Sequence, residues 1–275
     1  MIAHDALFAW SEPCNGPEAY ERYIVPAWME RLAEALVAAG GVGDGDRVLD
    51  VACGTGIVAR KAARRVGESG GVTGLDCNEA MVRAAEDFAN REGLSGLDWR
   101  RGDASNLTCD GPAYDVALCQ QGLQFFPDRL AALRGMRAAL VPGGRIAVAC
   151  WRELARIPLF AAVSDELREV FGPGAIGGFT ASSSLSAREE LRALLREAGF
   201  RDIRVRLEIL VSRLPDPMAF LPGYLSVFPI AKDIAAMPER DRRAMFRRMH
   251  ERLGDFSDDD GLVTPMESHV ATAIR

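Results

Sequence analysis

The segment Val48-Leu-Asp-Val-Ala-Cys-Gly-Thr-Gly56 sets an acid, Asp50, just ahead of two glycines, Gly54 and Gly56. A short apolar run leads into it and a helix-forming run, about 57–66, leads out. Glycines at such a turn let the backbone bend tightly and approach a ligand with no Cβ in the way. The helix behind them aims its N-terminus at that ligand. Asp76 ends the next apolar run, 76 − 56 = 20 residues beyond Gly56. A carboxylate there can accept two hydrogen bonds from a ribose diol. Asp103, in Gly102-Asp103-Ala104, follows a third run, where an adenine ring edge would lie. Glycines that only shape a turn and acids that only cap helices are the plainer account. Three such features in chain order favour a nucleoside site over it.

The elements that must carry these residues alternate. Short strands are expected at 47–51, 72–76, 97–101, 114–119 and 145–151, the last after a Pro142-Gly-Gly144 turn. Helices separate them, at about 57–66, at 79–91 capped by Asn78, and after Pro127-Asp128. Strands separated by helices pair in parallel through right-handed crossovers, giving an open, doubly wound α/β sheet. Ahead of it, Gly16-Pro17 opens a helix that Gly40-Gly41 ends, with Trp28, Leu32 and Leu36 on one face. Beyond Trp151 the rhythm loosens. A helical piece at 159–170 leads to a Gly/Ser-rich stretch, 172–184. Ser186-Ala-Arg-Glu189 reads as a capping box, 203–212 as a strand, the run after Pro238 as a helix, and 262–274 as a final strand. The expected organisation is a helical segment 1–46 covering the cofactor, a core at 47–151, and 152–275 holding the last two core strands. Insertions at about 152–185 and 213–260 form a small lid there.

Composition limits the possibilities. The chain has 275 residues, 48% hydrophobic and 26% charged, with a net charge of −6. That is a globular composition, and it argues against a nucleic-acid binder acting by bulk charge. No run of roughly 18 apolar residues suggests a membrane span. Met1–Trp10 has no Lys or Arg and reads as a poor secretion signal. Six cysteines without a C-x-x-C pair and only three histidines (His4, His250, His269) offer no zinc spacing. They fit free thiols in a reducing cytoplasm, and no metal site is assigned. The arginines of 240–252 interleave with acids and read as a solvated amphipathic face, and Asp258-Asp-Asp260 as an exposed turn.

On its motifs the chain resembles the class I S-adenosylmethionine-dependent methyltransferases, in their small-molecule branch. Asp50-Val-Ala-Cys-Gly-Thr-Gly56 matches the family's first motif, with Ala52 in place of the usual first glycine. Leu75-Asp-Cys-Asn-Glu-Ala-Met81 matches the second, Gly102-Asp103-Ala104 the adenine-binding segment, and Tyr114 to Gln120 resembles the fourth-strand motif. The resemblance covers about 20–151 well and the last two strands loosely. It implies a Rossmann-like sheet of seven mostly parallel strands, the last antiparallel. It also implies S-adenosyl-L-methionine as cofactor. Asp50, Ala52, Gly54, Thr55, Gly56, Cys77 and Gln120 would line that cofactor, with Asp76 on the ribose hydroxyls and Met81 packed on adenine. Gly102, Asp103 and Ala104 would complete the adenine side, and Tyr23 would be the aromatic of the N-terminal segment that covers the cofactor.

A nicotinamide-dependent oxidoreductase is the rival reading of the turn, through Gly54-x-Gly56-x-x-Ala59 and Asp76, but it leaves Asp50 unexplained. A cofactor with an ammonium group and no pyrophosphate suits a carboxylate there. A cofactor fold used for cyclisation or structural binding would keep the same turn. Methyl transfer is an in-line displacement that rests on alignment and exclusion of water, with a base optional. Similar methyltransferases often carry histidine where Gln124 and Phe125 stand. Their absence points to an acceptor already nucleophilic: an amine, a thiol, a phenolate, or an enol-like or aromatic carbon. Gln124 is the expected orienting residue, and Phe125, Trp151 and Tyr224 the expected acceptor contacts. The lid aromatics suggest an apolar small-molecule acceptor. No nucleic-acid or membrane partner is expected, and a homodimer is left open.

Overall fold

The computed structural model describes residues 16–107 and 113–275. The secretion-signal reading of Met1–Trp10, His4, Cys14 and Cys109 lie outside them. Helical chain runs from α1 (Gly16–Ala19) through a π-helical Tyr20–Met29 into α2 (Glu30–Ala39). Pro26, inside the π-helical stretch, has no N–H to give to a helical ladder. There follow β1 (Arg47–Val51), α3 (Ile57–Val66), β2 (Gly71–Asp76), α4 (Glu79–Arg91), β3 (Leu97–Arg101), β4 (Tyr114–Gln120), α5 (Arg129–Ala139) and β5 (Leu140–Trp151). Next come α6 (Pro158–Phe171), α7 (Gly177–Ser182), α8 (Arg188–Glu197), β6 (Arg201–Leu214), α9 (Pro217–Leu225), α10 (Ala231–Ala236), α11 (Glu239–Glu251), β7 (Ser257–Asp258) and β8 (Gly261–Ile274).

The sheet order is β3-β2-β1-β4-β5-β8-β6, with the two-residue β7 hanging on β8. The seven expected strands are all present, and β7 is an eighth. β1 pairs in parallel with β2 and β4, and β5 pairs antiparallel with β8 from Arg145↔Ile274 to Trp151↔Ser268. Central strands buried on both faces read as nearly continuous apolar runs, and β1 and β4 do: residues 48–51 and 116–120 are buried.

Two local expectations are corrected, and two further segments take regular structure. Val141–Gly144 is not a turn before β5 but a bulge within it, because Tyr114 pairs with Leu140 and Val116 with Arg145. Ser186 does not cap α8. The helix starts one residue later, so Ala187, with no side-chain oxygen, is the N-cap and Glu189 falls out of the reciprocal position. The Gly/Ser-rich stretch folds as a 3-10 turn at Pro173–Ile176 and then α7. The proline-rich 215–222 holds α9, because Pro217 sits in the first turn behind an Asp216 cap.

The chain forms two compact units. The first is Met29–Glu153, Ala181–Ile209 and Glu267–Arg275; the second is the described part of Met1–Trp28 with Leu154–Thr180 and Leu210–Met266. The division falls within the expected 1–46 segment, and most of the two expected insertions lie together in the second unit. The first unit's core packs Leu49, Val51, Ile146 and Val148 of the sheet with Leu133 and Met136 of α5 and Leu191 and Leu195 of α8.

The second unit is built on aromatics. Trp28 meets Phe160, Phe220 and Tyr224 edge-on at centroid distances of 5.6–6.0 Å. On α11, Met245, Phe246 and Met249 are buried as the pattern expected, while Arg240 and Arg247 are exposed. The reading of its arginines as merely solvated is corrected at two positions. Arg248 (2.7 Å) and Arg252 (3.3 Å) both reach Glu166 of α6, whose side chain has no exposure at all. A buried carboxylate is tolerable only with such partners. Replacing Arg248 and Arg252 together by Ala should therefore lower stability by about 1.5–3 kcal/mol in urea denaturation. An unchanged midpoint would show that Glu166 does not depend on them.

Candidate functional site

At the carboxyl end of β1, Asp50 is 1% exposed. Its Oδ2 accepts the Ala59 N–H of α3 at 3.0 Å, so the carboxyl ties the helix start to the strand. Its Oδ1 is buried without a partner among the described residues. Burial pushes the Asp50 carboxyl up to about 8. The Ala59 N–H opposes that rise and the charge of Asp76 adds to it. The free site thus holds a protonated acid with an unused oxygen, which an incoming cation would ionise.

The turn after β1 divides its glycine requirement. Gly54 (φ +54°) has open space where a Cβ would stand, so the backbone is bare on that side. Gly56 (φ +83°) has the Trp99 ring of β3 and Ala85 of α4 in that place, so it serves packing. Trp99 also lies against Gly74 of β2. Ala52 has φ +59°, a left-handed conformation for a residue with a Cβ. Gly122 makes room for it: a Cβ on Gly122 would stand 2.6 Å from the Ala52 Cβ. Thr55 is 1% exposed with its Oγ1 unpartnered.

Asp76 ends β2, half-buried. Its Oδ2 accepts the Gly54 N–H and its Oδ1 the Asn78 N–H, both at 2.9 Å. Each oxygen keeps lone-pair capacity for a further donor. Asn78 caps α4 through the Ala80 N–H, as expected. Cys77 beside it is exposed and Met81 half-buried. After β3, Gly102 packs on Leu75, Asp103 is exposed and accepts the Ser105 N–H at 2.8 Å, and Ala104 is buried. The Ser105 Oγ is a buried group without a partner.

Three amides stand at the end of β4 and just beyond it. Gln120 donates to the Met29 carbonyl at 3.1 Å and leaves its Oε1 unpartnered. Gln121, at φ +53°, donates to Ser268 Oγ of β8 at 2.8 Å and accepts from Gln124 Nε2 at 3.4 Å. Gln124 is 3% exposed, and this relay leaves its Oε1 buried and free. Its backbone carbonyl takes Arg129 at 3.0 Å and Ser184 at 2.8 Å. Phe125 is 51% exposed and Trp151 is buried.

Asp50, Ala52, Gly54, Thr55, Gly56, Asp76, Cys77, Met81, Gly102, Asp103, Ala104, Gln120, Gln124, Phe125 and Trp151 all belong to the first unit. Tyr23 and Tyr224 belong to the second. There Tyr23 lies against Gly223, and Tyr224 is 1% exposed in the aromatic cluster. The second unit also holds a cavity of about 550 Å³ edged by Phe171, Phe179, Phe228, Ile230 and Asp233, with neither tyrosine on its wall. Sequence reasoning missed Gln121, Gly122, Ser105, Trp99 and Ser268. Only the Gln120-Gln121 doublet hinted at any of them. Cys53, Cys119 and Cys150 are buried free thiols, and burial holds each above the ordinary thiol range, so none is a ready nucleophile.

Comparison with known proteins follows this geometry. The methyltransferase-domain family profile matches residues 48–144. A demethylmenaquinone methyltransferase of Staphylococcus carnosus is 30% identical over 204 residues, 70% of this chain and 80% of that protein. A 2-phytyl-1,4-naphtoquinone methyltransferase of Synechococcus elongatus is 42% identical over 106 residues, 38% of this chain and 45% of that protein. Among solved structures, the Bacillus subtilis YcgJ protein aligns with a TM-score of 0.60 at 16% identity, covering 89% of this chain and 98% of that one. A Haemonchus contortus phosphoethanolamine N-methyltransferase bound to S-adenosylhomocysteine also gives 0.60, at 17% identity, over 94% of this chain and 57% of that one.

Two outcomes follow from the turn. Gly122→Ala should destabilise the protein by about 1–3 kcal/mol through collision with Ala52, and adding Ala52→Gly should recover most of the loss. Equal losses in both backgrounds would separate the two positions. For Asp50, the folded pKa of about 8 lies above the ordinary 3.8. The folded, ligand-free protein therefore holds the extra proton. The contribution of Asp50 to stability is full below 3.8 and falls as pH rises toward about 8, a slope that Asp50→Asn should flatten. Binding of S-adenosylhomocysteine at pH 7 should release a proton from the wild type and none from Asp50→Asn. Calorimetry in buffers of different ionisation heat reads this directly, and equal proton release in the two proteins would refute the assignment.

Proposed function

The chain belongs to the methyltransferase-domain family as an S-adenosylmethionine-dependent enzyme acting on a small organic molecule, and we propose that its acceptor is a hydroxylated aromatic or enolic ring methylated at carbon. The names of the two quinone-methylating relatives support that class of acceptor. Family membership sets aside the nicotinamide reading.

The observation that carries the cofactor assignment is the unpartnered Oδ1 of buried Asp50. It fits the ammonium of a methionine-type cofactor, and the open side of Gly54 leaves room for close backbone approach. Asp76, already fixed by the Gly54 and Asn78 N–H groups, has lone pairs left for the ribose hydroxyls. Thr55 and Ser105 have unused hydroxyls, and Gln120 an unused carbonyl oxygen, for the rest of the nucleoside and amino-acid portions. When bound, S-adenosylmethionine supplies a methyl group on a positively charged sulfur.

The acceptor side rests on Gln124. Gln121 and Ser268 fix its amide so that a carbonyl oxygen is the group left free. A carbonyl oxygen can accept a hydrogen bond from an acceptor hydroxyl and orient it, but it takes no proton at neutral pH. Catalysis is then alignment and exclusion of water, and the acceptor supplies its own nucleophilicity, as an electron-rich ring carbon flanked by hydroxyl does.

Asp76→Ala should weaken S-adenosylhomocysteine binding by about 1–3 kcal/mol, the loss of charged hydrogen bonds, measured by calorimetry; unchanged affinity would refute its role on the ribose. The acceptor class is tested by incubating the enzyme and S-adenosylmethionine with reduced 1,4-naphthoquinone, a catechol, a thiol and an amine. Mass spectrometry should find the ring-carbon methyl product of the reduced naphthoquinone. Methylation of only the thiol or the amine would overturn the carbon acceptor while leaving the cofactor assignment intact.

A further inference from the structure

We propose that β6 is the interface of a homodimer, in which two copies pair edge to edge as antiparallel strands about a two-fold axis through Leu207. β6 is the last strand of the sheet order, and among the described residues β8 is its only strand neighbour. Exposed sheet edges are usually blunted by charge, proline or a short strand. β6 is fourteen residues long and has no proline, and of the six charged residues it carries, Arg206 and Glu208 pair with each other. It carries Leu207 at 46% exposure and Ile209 at 52%, large apolar side chains on the same face. Such an edge is a template for another strand.

The charge pattern names the partner and the register. A two-fold axis normal to the sheet must pass through a residue position, because opposed residues of antiparallel strands share a face. With the axis at Leu207, each Arg206 stands opposite the partner's Glu208, each Val205 opposite the partner's Ile209, and Leu207 opposite its own copy. Arg206 and Glu208 already pair within the chain at 3.2 Å, so the four charges would alternate in sign around the axis. Moving the axis to Arg206 or to Glu208 puts like charges directly opposite each other, which is destabilising. One register of self-pairing thus joins apolar to apolar and acid to base. A lipid surface or an unrelated strand would have no reason to match that alternation. Residues 205–209 lie within one compact unit and contain none of the groups assigned to cofactor or acceptor.

The test is the oligomeric state of the full chain by sedimentation and light scattering. The wild type should be a dimer that dissociates on dilution. Ile209→Lys should be monomeric with an unchanged circular dichroism spectrum and melting temperature. Arg206→Glu and Glu208→Arg should each weaken self-association about tenfold, since both symmetric pairs become repulsive. Mixing those two self-repelling variants should restore dimers, because every opposed pair in the mixed species is then of opposite sign; the double variant should self-associate like the wild type. A monomeric wild type, a dimer indifferent to these substitutions, or a mixture that stays monomeric would each overturn the proposal.

Discussion

The buried carboxyl of Asp50 is the constraint around which this molecule is arranged. It stands at the end of β1, between β2 and β4, and through the Ala59 N–H it fixes where α3 begins. An acid there gains one backbone hydrogen bond and loses water on every side, and its displaced pKa records that imbalance. A leucine-sized apolar residue would make a more stable strand end. On the proposed reading, its second oxygen is held ready, in a rigid place, for the ammonium of the cofactor. Rigidity here comes from the parallel sheet itself, whose central strands are buried on both faces and leave the strand end little freedom.

The same turn shows how strain is distributed around such a point. Ala52 and Gln121 both adopt left-handed backbone conformations, one after β1 and the other after the neighbouring β4. Each costs of order 1–2 kcal/mol for a residue with a Cβ. They are linked by Gly122, whose missing side chain accommodates the Ala52 methyl. The departure from glycine at position 52 is therefore matched by a glycine seventy residues later. Gln121 has a second tie in Ser268 on β8, which keeps its unusual backbone in place. Strained positions at adjacent strand ends, each over-determined by a distant contact, are a way of fixing polar groups to within hydrogen-bonding tolerance.

What could be read from the chain follows the range of the interactions. The alternation of apolar runs and helices, the α3 and α4 boundaries and the Asn78 cap are set by neighbours in sequence or by adjacent strands. All of them were legible. Gln121 was not, because its partner lies 147 residues away on an antiparallel strand. Trp99 looked like an ordinary strand residue, yet it sets the need for glycine at 56 and 74. The arginines of α11 gave an amphipathic pattern, which hides that Glu166 on another helix depends on two of them. Where prediction failed locally, at the α8 cap, a one-residue shift in the helix start decided the outcome. Pattern reasoning does not fix boundaries that finely.

The amides at the end of β4 have a consequence for how such an enzyme responds to pH. An amide keeps one protonation state throughout the physiological range, and so do the buried thiols nearby, which burial holds un-ionised. His269, on β8 one residue from Ser268, is pushed below its ordinary value by burial first and then by the Arg152 charge, so it stays neutral near pH 7. Asp50, which burial pushes up to about 8, is a described group that titrates near neutrality. On the proposed reading its ionisation governs cofactor binding, and that of the acceptor hydroxyl governs nucleophilicity. Cofactor affinity and turnover should therefore follow different ionisations, a separation that a histidine base shared between the two functions would not allow.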